Sequence, residues 1–241
     1  PIYGMAQAGR RWQRTLFGWL KEFGLEASLE DPCLFQLTRT MDTPDGPREE
    51  KIVIGVYVDD LACAYRYDDE HSLYRQFTTA LQEWRVEDEG ELTDLLGVDF
   101  SFEDGVVKLA QTRYIEKMVA NHLPDGVSAA SQRNQVPFDK SIAQYVADAL
   151  VQDPSDVDKE LLRKYQSLVG ALLYCATNTR PDVCYTVGML CRAMSRPTPQ
   201  LLEAAHRALR YLYRTREIGL LFEASRKELH GYSDSDWATK H

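Results

Sequence analysis

The chain has 241 residues, of which 44% are hydrophobic and 27% charged, and its formal net charge is −9. This composition is that of a globular protein of about one to two domains, and it excludes a collagen or an extended disordered tail. No stretch approaches the roughly 20 uninterrupted apolar residues that a membrane-spanning helix needs. The net acidity argues against a nucleic-acid binder, because Lys and Arg carry phosphate binding. Residues 160–241 are an exception to this, and they have a net positive charge because they contain 12 Lys and Arg and 8 Asp and Glu.

The first third of the chain predicts a helix followed by a hairpin. Residues 6–23 place large apolar side chains on one helical stripe, and Cys33–Leu37 is a short apolar run. Two apolar strands follow, Lys51–Val58 and Leu61–Tyr65, with only Asp59 and Asp60 between them. This spacing predicts a hairpin that carries two acids at its tip.

A second helix and a second hairpin are predicted next. The helix covers residues 69–84, and strands Leu95–Phe102 and Val106–Ala110 are joined by Glu103-Asp104-Gly105. Asp-Gly between two apolar strands favours a tight hairpin. Residues 112–122 predict another helix, and the polar stretch from 123 to about 160 predicts a loose connection.

The last third is predicted to be mainly helical, since prolines separate three apolar periodic segments. The predicted elements are helices over 163–177, 182–194 and 198–216, then strands Gly219–Phe222 and Leu229–Tyr232. Strands and helices in this order indicate the α+β class rather than a regular repeat of strand, helix and strand.

The paired acids are the most informative chemical feature of the sequence. Asp59 and Asp60 lie between two apolar strands, which would hold both carboxylates at the end of a buried support. Magnesium prefers oxygen ligands, and it is typically bound by one or two carboxylates plus substrate phosphates. Polymerases use two such ions for nucleotidyl transfer. The alternative from these residues alone is a solvated Asp-Asp turn without a function.

Eight segments in the same order resemble the reverse transcriptase of copia-type LTR retrotransposons, along essentially the whole chain. The central one, IGVYVDDLACA, resembles the polymerase signature VYVDDxLIA of that family. The other seven are YGMAQAGRRW, LEDPCLF, LLGVDF, VKLAQTRYIEKMV, YQSLVGALLYCATNTRPDVCYTVGMLCRAMSRPT, AAHRALRYLYRT and GYSDSDWA.

The resemblance implies roles for the residues that match. Asp59 and Asp60 correspond to metal-binding carboxylates of the polymerase palm, with Asp59 the better candidate for a ligand of both ions. Tyr57 would lie near the primer end. The remaining matches are Gly4, Ala8 and Gly9 along the nucleotide and template, Leu96 and Gly97 in the primer grip, and Asp234 at the first metal-binding position of RNase H.

The resemblance also implies an architecture and partners. We expect a palm-type antiparallel sheet with packed helices over residues 1–122, a linker and helical thumb or connection region over 123–225, and the start of an RNase H domain over 226–241. The implied cofactor is a pair of Mg²⁺ or Mn²⁺ ions. The implied partners are an RNA or DNA template-primer, a dNTP, and the integrase and RNase H of a Pol polyprotein. No membrane is implied, and the expected location is a cytoplasmic virus-like particle.

One departure from the family pattern is the Ala8-Gly9 pair, which stands where the family has Ala-Pro. Glycine is more permissive than proline, so a looser turn is expected there. The third palm carboxylate of the family lies on a strand that would precede Pro1, so this chain alone is expected to be inactive. An alternative function is a non-catalytic retrotransposon remnant that acts as a structural or nucleic-acid-binding module.

Three arginines form a second candidate site. Arg207, Arg210 and Arg214 share one face of the predicted helix over 198–216, while Leu209 and Leu212 face the other way. The stripe could contact phosphates as part of a thumb. A solvated helix face is the alternative, since three arginines are few.

Overall fold

The computed structural model describes residues 5, 7–127, 136–153, 157–224 and 230–233. The chain forms two compact units, Pro1–Glu91 and Leu92–His241. Each unit contains one four-stranded antiparallel sheet together with helices. The α+β class is therefore confirmed, whereas the domain boundaries after residues 122 and 225 stay predictions.

The first unit is a sheet whose buried face is covered by two helices. Its strands are ordered β1-β2-β3-β4, and each pairs antiparallel with the next. In chain order the elements are helix α1 (Ala8–Phe23), strands β1 (Glu26–Ala27), β2 (Leu34–Thr43), β3 (Gly46–Tyr57) and β4 (Asp60–Ala64), helix α2 (Leu73–Leu81) and a 3₁₀ turn (Gln82–Trp84).

Periodicity explains how this unit closes its core. Leu16 and Leu20 lie one helical turn apart on α1, and both are buried. Ile52 and Ile54 alternate along β3 and are buried in the same cluster. Helix α1 ends at Gly24, whose φ of +110° is the left-handed conformation that favours glycine at a helix C-terminus.

A buried carboxylate attaches α2 to the sheet. Glu50 of β3 is 4% exposed, and its Oε2 accepts a 2.8 Å hydrogen bond from the backbone N–H of Leu73. Arg48 forms an ion pair with the same carboxylate. Ser72 caps the helix by accepting from the N–H of Arg75. The N-terminus of α2 is thereby held against β3.

The second unit joins a small sheet to a helical bundle. Its strands are ordered β5-β6-β7-β8, all antiparallel. The elements are strands β5 (Asp94–Leu95), β6 (Val98–Glu103) and β7 (Val106–Ala110), helices α3 (Thr112–His122), α4 (Ser141–Leu150) and α5 (Lys159–Asn178), a 3₁₀ turn (Pro181–Val183), helices α6 (Cys184–Cys191) and α7 (Pro199–Arg214), and strand β8 (Leu220–Glu223).

The core of this unit is formed by apolar stripes of α3, α4, α5, α6 and α7. A fully buried arginine links two of these helices at their C-terminal ends. Arg180, just after α5, is 0% exposed and is bidentate to Asp182, with its Nε and Nη2 2.9 and 2.7 Å from the two carboxylate oxygens. Its Nη1 donates to the carbonyl of Thr215, just after α7.

Three local predictions need correction. Helix α4 lies within the stretch predicted to be a loose connection; its buried Ile142, Val146 and Ala149 form a short apolar stripe, which the polar residues around it obscure. The predicted strand Leu95–Phe102 is divided by a turn at residues 96–97. Of the predicted strand Leu229–Tyr232, residue 229 lies outside the described residues, and residues 230–232 are not in a strand.

Candidate active site

The paired carboxylates lie at the β3–β4 hairpin, one residue away from the predicted register. Tyr57 and Asp60 are directly opposite each other at the ends of the two strands. The two-residue turn is therefore Val58-Asp59, and Asp60 is the first residue of β4. The predicted hairpin tip, Asp59-Asp60, is therefore wrong by one position. Because Tyr57 pairs with Asp60, only Asp59 of the two acids lies in the turn.

The turn residue Val58 has an unusual backbone conformation. Of the two turn residues only Val58 has a positive φ, of +56°, which is the φ pattern of a type II′ turn. Glycine is the usual residue at that position, and a β-branched residue is a genuine outlier there. Such a conformation costs on the order of 1–3 kcal/mol and persists only when its surroundings enforce it.

Helix α1 supplies a bond that holds this turn. The indole Nε1–H of Trp12 donates a 2.7 Å hydrogen bond to the carbonyl of Val58, across 46 residues of sequence. The Trp12 ring packs edge-to-face against Trp84, with 5.6 Å between ring centroids. Trp84 in turn contacts Trp19, whose ring packs on Phe77 of the buried core.

The two faces of β3 differ in what covers them. Ile54 points into the core under the helices, whereas Gly55 and Tyr57 alternate onto the opposite face. On that face Gly55 pairs with Ala62 and Tyr57 with Asp60. Tyr57 is 52% exposed, and Asp60 is exposed as well. Small residues thus line an open face that leads to the carboxylates.

The donor set suits a hard divalent cation. Asp59 and Asp60 are both exposed, and within the described part of the chain no group donates a hydrogen bond or forms an ion pair to either carboxylate. Their oxygens are therefore available as ligands. No cluster of three His, Cys, Asp or Glu side chains suited to a metal occurs among the described residues. Two carboxylates are compatible with Mg²⁺, which commonly retains water and substrate phosphates as its other ligands.

The two candidate residues of the opening segment that are described lie in a helix. Ala8 and Gly9 are the first two residues of α1, and the N–H of Ala8 bonds the carbonyl of Met5 at 2.9 Å. The expected loose turn at Gly9 is therefore wrong, because helix α1 has already begun there. Gly4 lies outside the described residues.

The predicted primer-grip residues form a second strained turn, which belongs to the second unit. Leu95 pairs with Val98, and the turn residues Leu96 and Gly97 have φ of +54° and +76°, the φ pattern of a type I′ hairpin. The hydroxyl of Tyr174, on α5, donates to the carbonyl of Leu96. Leu96 itself is 45% exposed.

Two residues of α3 also hold this turn. A Cβ placed on Gly97 would lie 3.3 Å from the ring of Tyr114, so the aromatic side chain packs directly on the glycine. Arg113 pairs with Asp94 and Asp99 on the two strands of the hairpin.

Two side chains of the arginine stripe form ion pairs within this chain, which reduces their availability for phosphate binding. Nη1 of Arg207 lies 2.6 Å from Asp139, and Nη1 of Arg210 lies 2.7 Å from Glu203. Both side chains are half-buried, as is Arg214. Leu209 and Leu212 are fully buried on the opposite face, as predicted. Because Arg207 and Arg210 are paired with acids of this chain, the role of the stripe in phosphate binding stays a prediction.

Asp234, the predicted RNase H ligand, lies outside the described residues. None of the helices that the structure describes is long and apolar enough to cross a bilayer.

The sequence patterns single out neither Trp12 nor Tyr174. Trp12 is partly exposed, and each of these side chains donates a hydrogen bond to a turn distant in sequence. No periodic pattern could reveal such bonds. The available signal was the type of residue, since a buried or half-buried Trp N–H or Tyr O–H usually finds an acceptor.

Comparison with known proteins identifies the family of this chain. A family model described as reverse transcriptase (RNA-dependent DNA polymerase) matches residues 1–129. The Retrovirus-related Pol polyprotein from transposon RE1 of Arabidopsis thaliana is 31% identical over 98% of this chain, which spans 15% of that relative's length. The Putative transposon Ty5-1 protein YCL074W of Saccharomyces cerevisiae is 30% identical over the whole chain and 72% of its own length.

A tobacco relative, the Retrovirus-related Pol polyprotein from transposon TNT 1-94 of Nicotiana tabacum, is 27% identical over 98% of this chain and 17% of its own length. No solved structure matches the chain significantly. The chain therefore belongs to the reverse transcriptase (RNA-dependent DNA polymerase) family, and its relatives are copia-type Pol polyproteins of retrotransposons.

Proposed function

We propose that this chain contributes the carboxylate turn to an RNA-directed DNA polymerase that transfers a nucleotide from a dNTP to a primer 3′-hydroxyl. The supporting observation is the β3–β4 hairpin, which presents Asp59 and Asp60 at the end of an open sheet face whose other side is buried. In this reaction the 3′-oxygen forms a bond to the α-phosphorus, and the bond from that phosphorus to pyrophosphate breaks.

Asp59 and Asp60 would hold the divalent cations, two Mg²⁺ or Mn²⁺ ions. Bound cations of this kind supply charge neutralisation for the phosphates and activation of the attacking hydroxyl. The chain itself contributes position, because phosphoryl transfer depends mostly on alignment and electrostatic stabilisation. Tyr57 shares the open face with Asp60, which suits a contact with the primer end.

The open face also suits an extended polyanion. Gly55 and Ala62 are opposite each other and have small or absent side chains, so a backbone could approach the sheet closely between them. The acidity near the carboxylates would be offset by the cations that they bind. Gly4, Ala8 and Gly9, the Leu96-Gly97 turn and the arginine stripe of α7 stay proposed contacts of the template-primer.

The proposed context is a Pol polyprotein, because the Arabidopsis and tobacco relatives are Pol polyproteins of which this chain spans 15% and 17% of the length. Integrase and RNase H would then be partners in the same polyprotein, with Asp234 as a ligand of the RNase H site. A cytoplasmic virus-like particle is the location that we propose.

Primer extension by a polypeptide extended to the length of these relatives tests the proposal. We expect Asp59→Asn to lower extension by at least about 100-fold, the scale of losing one electrostatic stabiliser of a transition state. Extension should require Mg²⁺ or Mn²⁺.

The chain offers a matched control at the other end of β3. Asp45 is also an exposed aspartate in a two-residue hairpin turn, next to the Thr43–Gly46 pair. Asp45→Asn should leave extension close to that of the unsubstituted polypeptide. The proposal is wrong if the two variants extend primers equally well.

A further inference from the structure

The β3–β4 turn needs an external restraint because its own sequence disfavours its conformation. Val58 has a φ of +56°, carries a branched side chain, and is 60% exposed. No packing of the Val58 side chain into the core therefore enforces the turn. The restraint must act on the backbone.

Trp12 provides such a restraint. Its indole N–H bonds the Val58 carbonyl at 2.7 Å, and its ring is held by Trp84 at 5.6 Å between centroids. Trp84 packs on Trp19 at 5.9 Å, and Trp19 packs on Phe77 at 6.0 Å. Because Phe77 is 1% exposed, a chain of aromatic contacts connects the exposed turn to the buried core of the first unit.

The bonded carbonyl is the one that orients Asp59. The peptide group between Val58 and Asp59 is planar, so fixing the direction of the Val58 carbonyl also fixes the N–H and Cα of Asp59. The direction of the Asp59 side chain then depends on that plane. Catalytic groups must be held to within about 0.5 Å and 10–20° of their productive geometry.

We propose that Trp12 is a positioning residue, which sets the orientation of the Asp59 carboxylate through its hydrogen bond to the Val58 carbonyl. This inference rests on the proposed polymerase function. It assigns Trp12 no contact with substrate. Its effect is on the alignment of a group that acts in the chemical step rather than on nucleotide binding.

The kinetic test compares Trp12→Phe with Trp84→Phe in the extended polypeptide. Both substitutions replace an indole of the same aromatic cluster with a smaller phenyl ring. The indole N–H of Trp84, however, donates to Glu83 and not to the turn. We expect Trp12→Phe to lower kcat by about 10- to 100-fold, the scale of a misplaced reacting group, with little change in KM for dNTP. Trp84→Phe should lower kcat clearly less than Trp12→Phe, because phenylalanine still offers Trp12 an aromatic ring and the N–H that is lost does not reach the turn.

A second substitution separates the hydrogen bond from the packing. Benzothienylalanine at position 12 keeps the shape of the indole ring and replaces the N–H with sulfur, so folding should be retained. It should reproduce the loss of kcat. Activity equal to that of the unsubstituted polypeptide would overturn the inference, as would equal losses in the Trp12→Phe and Trp84→Phe variants.

An NMR measurement on this chain gives a readout that does not need activity. The backbone amide resonances of Asp59 and Asp60 should shift in Trp12→Phe and in the benzothienylalanine form, and should shift clearly less in Trp84→Phe. If the extended polypeptide fails to extend primers at all, the proposed function fails. The shifts then still show whether Trp12 sets the turn, and unchanged resonances would contradict it.

Discussion

Both units contain a hairpin turn of unfavourable backbone conformation that a helix side chain stabilises, but they use different residues. Each has a two-residue hairpin turn in which an exposed apolar residue adopts a positive φ, Val58 in the first unit and Leu96 in the second. In each, the carbonyl of that residue accepts a hydrogen bond from an aromatic side chain on a helix, Trp12 or Tyr174. Both bonds join residues far apart in sequence, by 46 and 78 positions.

The two turns differ in how well their own residues tolerate the backbone conformation. The second turn contains Gly97, which adopts a positive φ without steric cost, and ion pairs of Arg113 reinforce the strands on both sides. The first turn has no glycine and carries a carboxylate in its place. A turn that carries aspartate where the other turn has glycine therefore relies more on contacts from outside. Substitutions in the second unit test how its turn and its helices are held, and the first unit serves as the internal reference.

The largest effect is expected from removing the buried arginine of the second unit. Arg180→Ala would leave Asp182 without its bidentate partner and Thr215 without a donor. Because the Asp182 side chain is 36% exposed and can regain water, we expect a cost of about 2–3 kcal/mol, the scale of hydrogen bonds to a charged group. Hydrogen exchange resolved by residue should show faster exchange across α5 and α7, with little change in β3.

Arg192→Ala is the control for this prediction, because Arg192 is an exposed arginine of the same unit. Burial raises the pKa of Asp182, but the bonds from Arg180 and Tyr211 outweigh it and hold that pKa below its usual value. The contribution of the carboxylate is therefore present above its unfolded pKa and is lost as the pH falls through the folded one. Equal stability of the two variants at neutral pH would contradict the assignment.

An intermediate effect is expected from adding a methyl group to the second turn. Gly97 and Gly105 have nearly the same φ, of +76° and +77°, in two turns of the same sheet. Alanine at Gly105 meets no atom within 4 Å, so its cost is the backbone conformation alone, about 1–2 kcal/mol. Alanine at Gly97 must also displace the Tyr114 ring.

Gly97→Ala should therefore lower the free energy of unfolding more than Gly105→Ala, as measured by urea denaturation. If the two variants are equally stable, Tyr114 does not restrain the turn.

The smallest effect is expected from removing one hydroxyl. Tyr174→Phe deletes the donor to the Leu96 carbonyl and should cost about 1 kcal/mol, the usual net value of one hydrogen bond. Tyr114→Phe is the control, since in the described part of the chain the Tyr114 hydroxyl makes no hydrogen bond. Amide exchange at residues 96–98 should accelerate in the first variant only. Similar exchange in both would mean that ring packing, and not the hydroxyl, holds the turn.

Elements whose signals are local could be predicted from the amino-acid sequence. The helical stripe of α1, the alternation of β3 and the Asp104-Gly105 turn are all present as predicted, because each depends on the spacing or type of neighbouring residues. The adjacency of Asp59 and Asp60 and the family motifs also come from the sequence alone. Helix α4 was missed because its short stripe lies in polar surroundings.

The contacts that hold the candidate site depend on the packing of the folded chain. Strand pairing places the turn at Val58-Asp59 rather than at Asp59-Asp60. Packing places Trp12 within hydrogen-bond distance of the Val58 carbonyl, and Tyr174 within hydrogen-bond distance of the Leu96 carbonyl. It also paired Arg207 with Asp139 across 68 residues, which periodicity on α7 could not reveal. Local spacing specifies which face of an element a side chain occupies. It carries no information about the distant group that the face will meet, since that depends on how the whole unit packs.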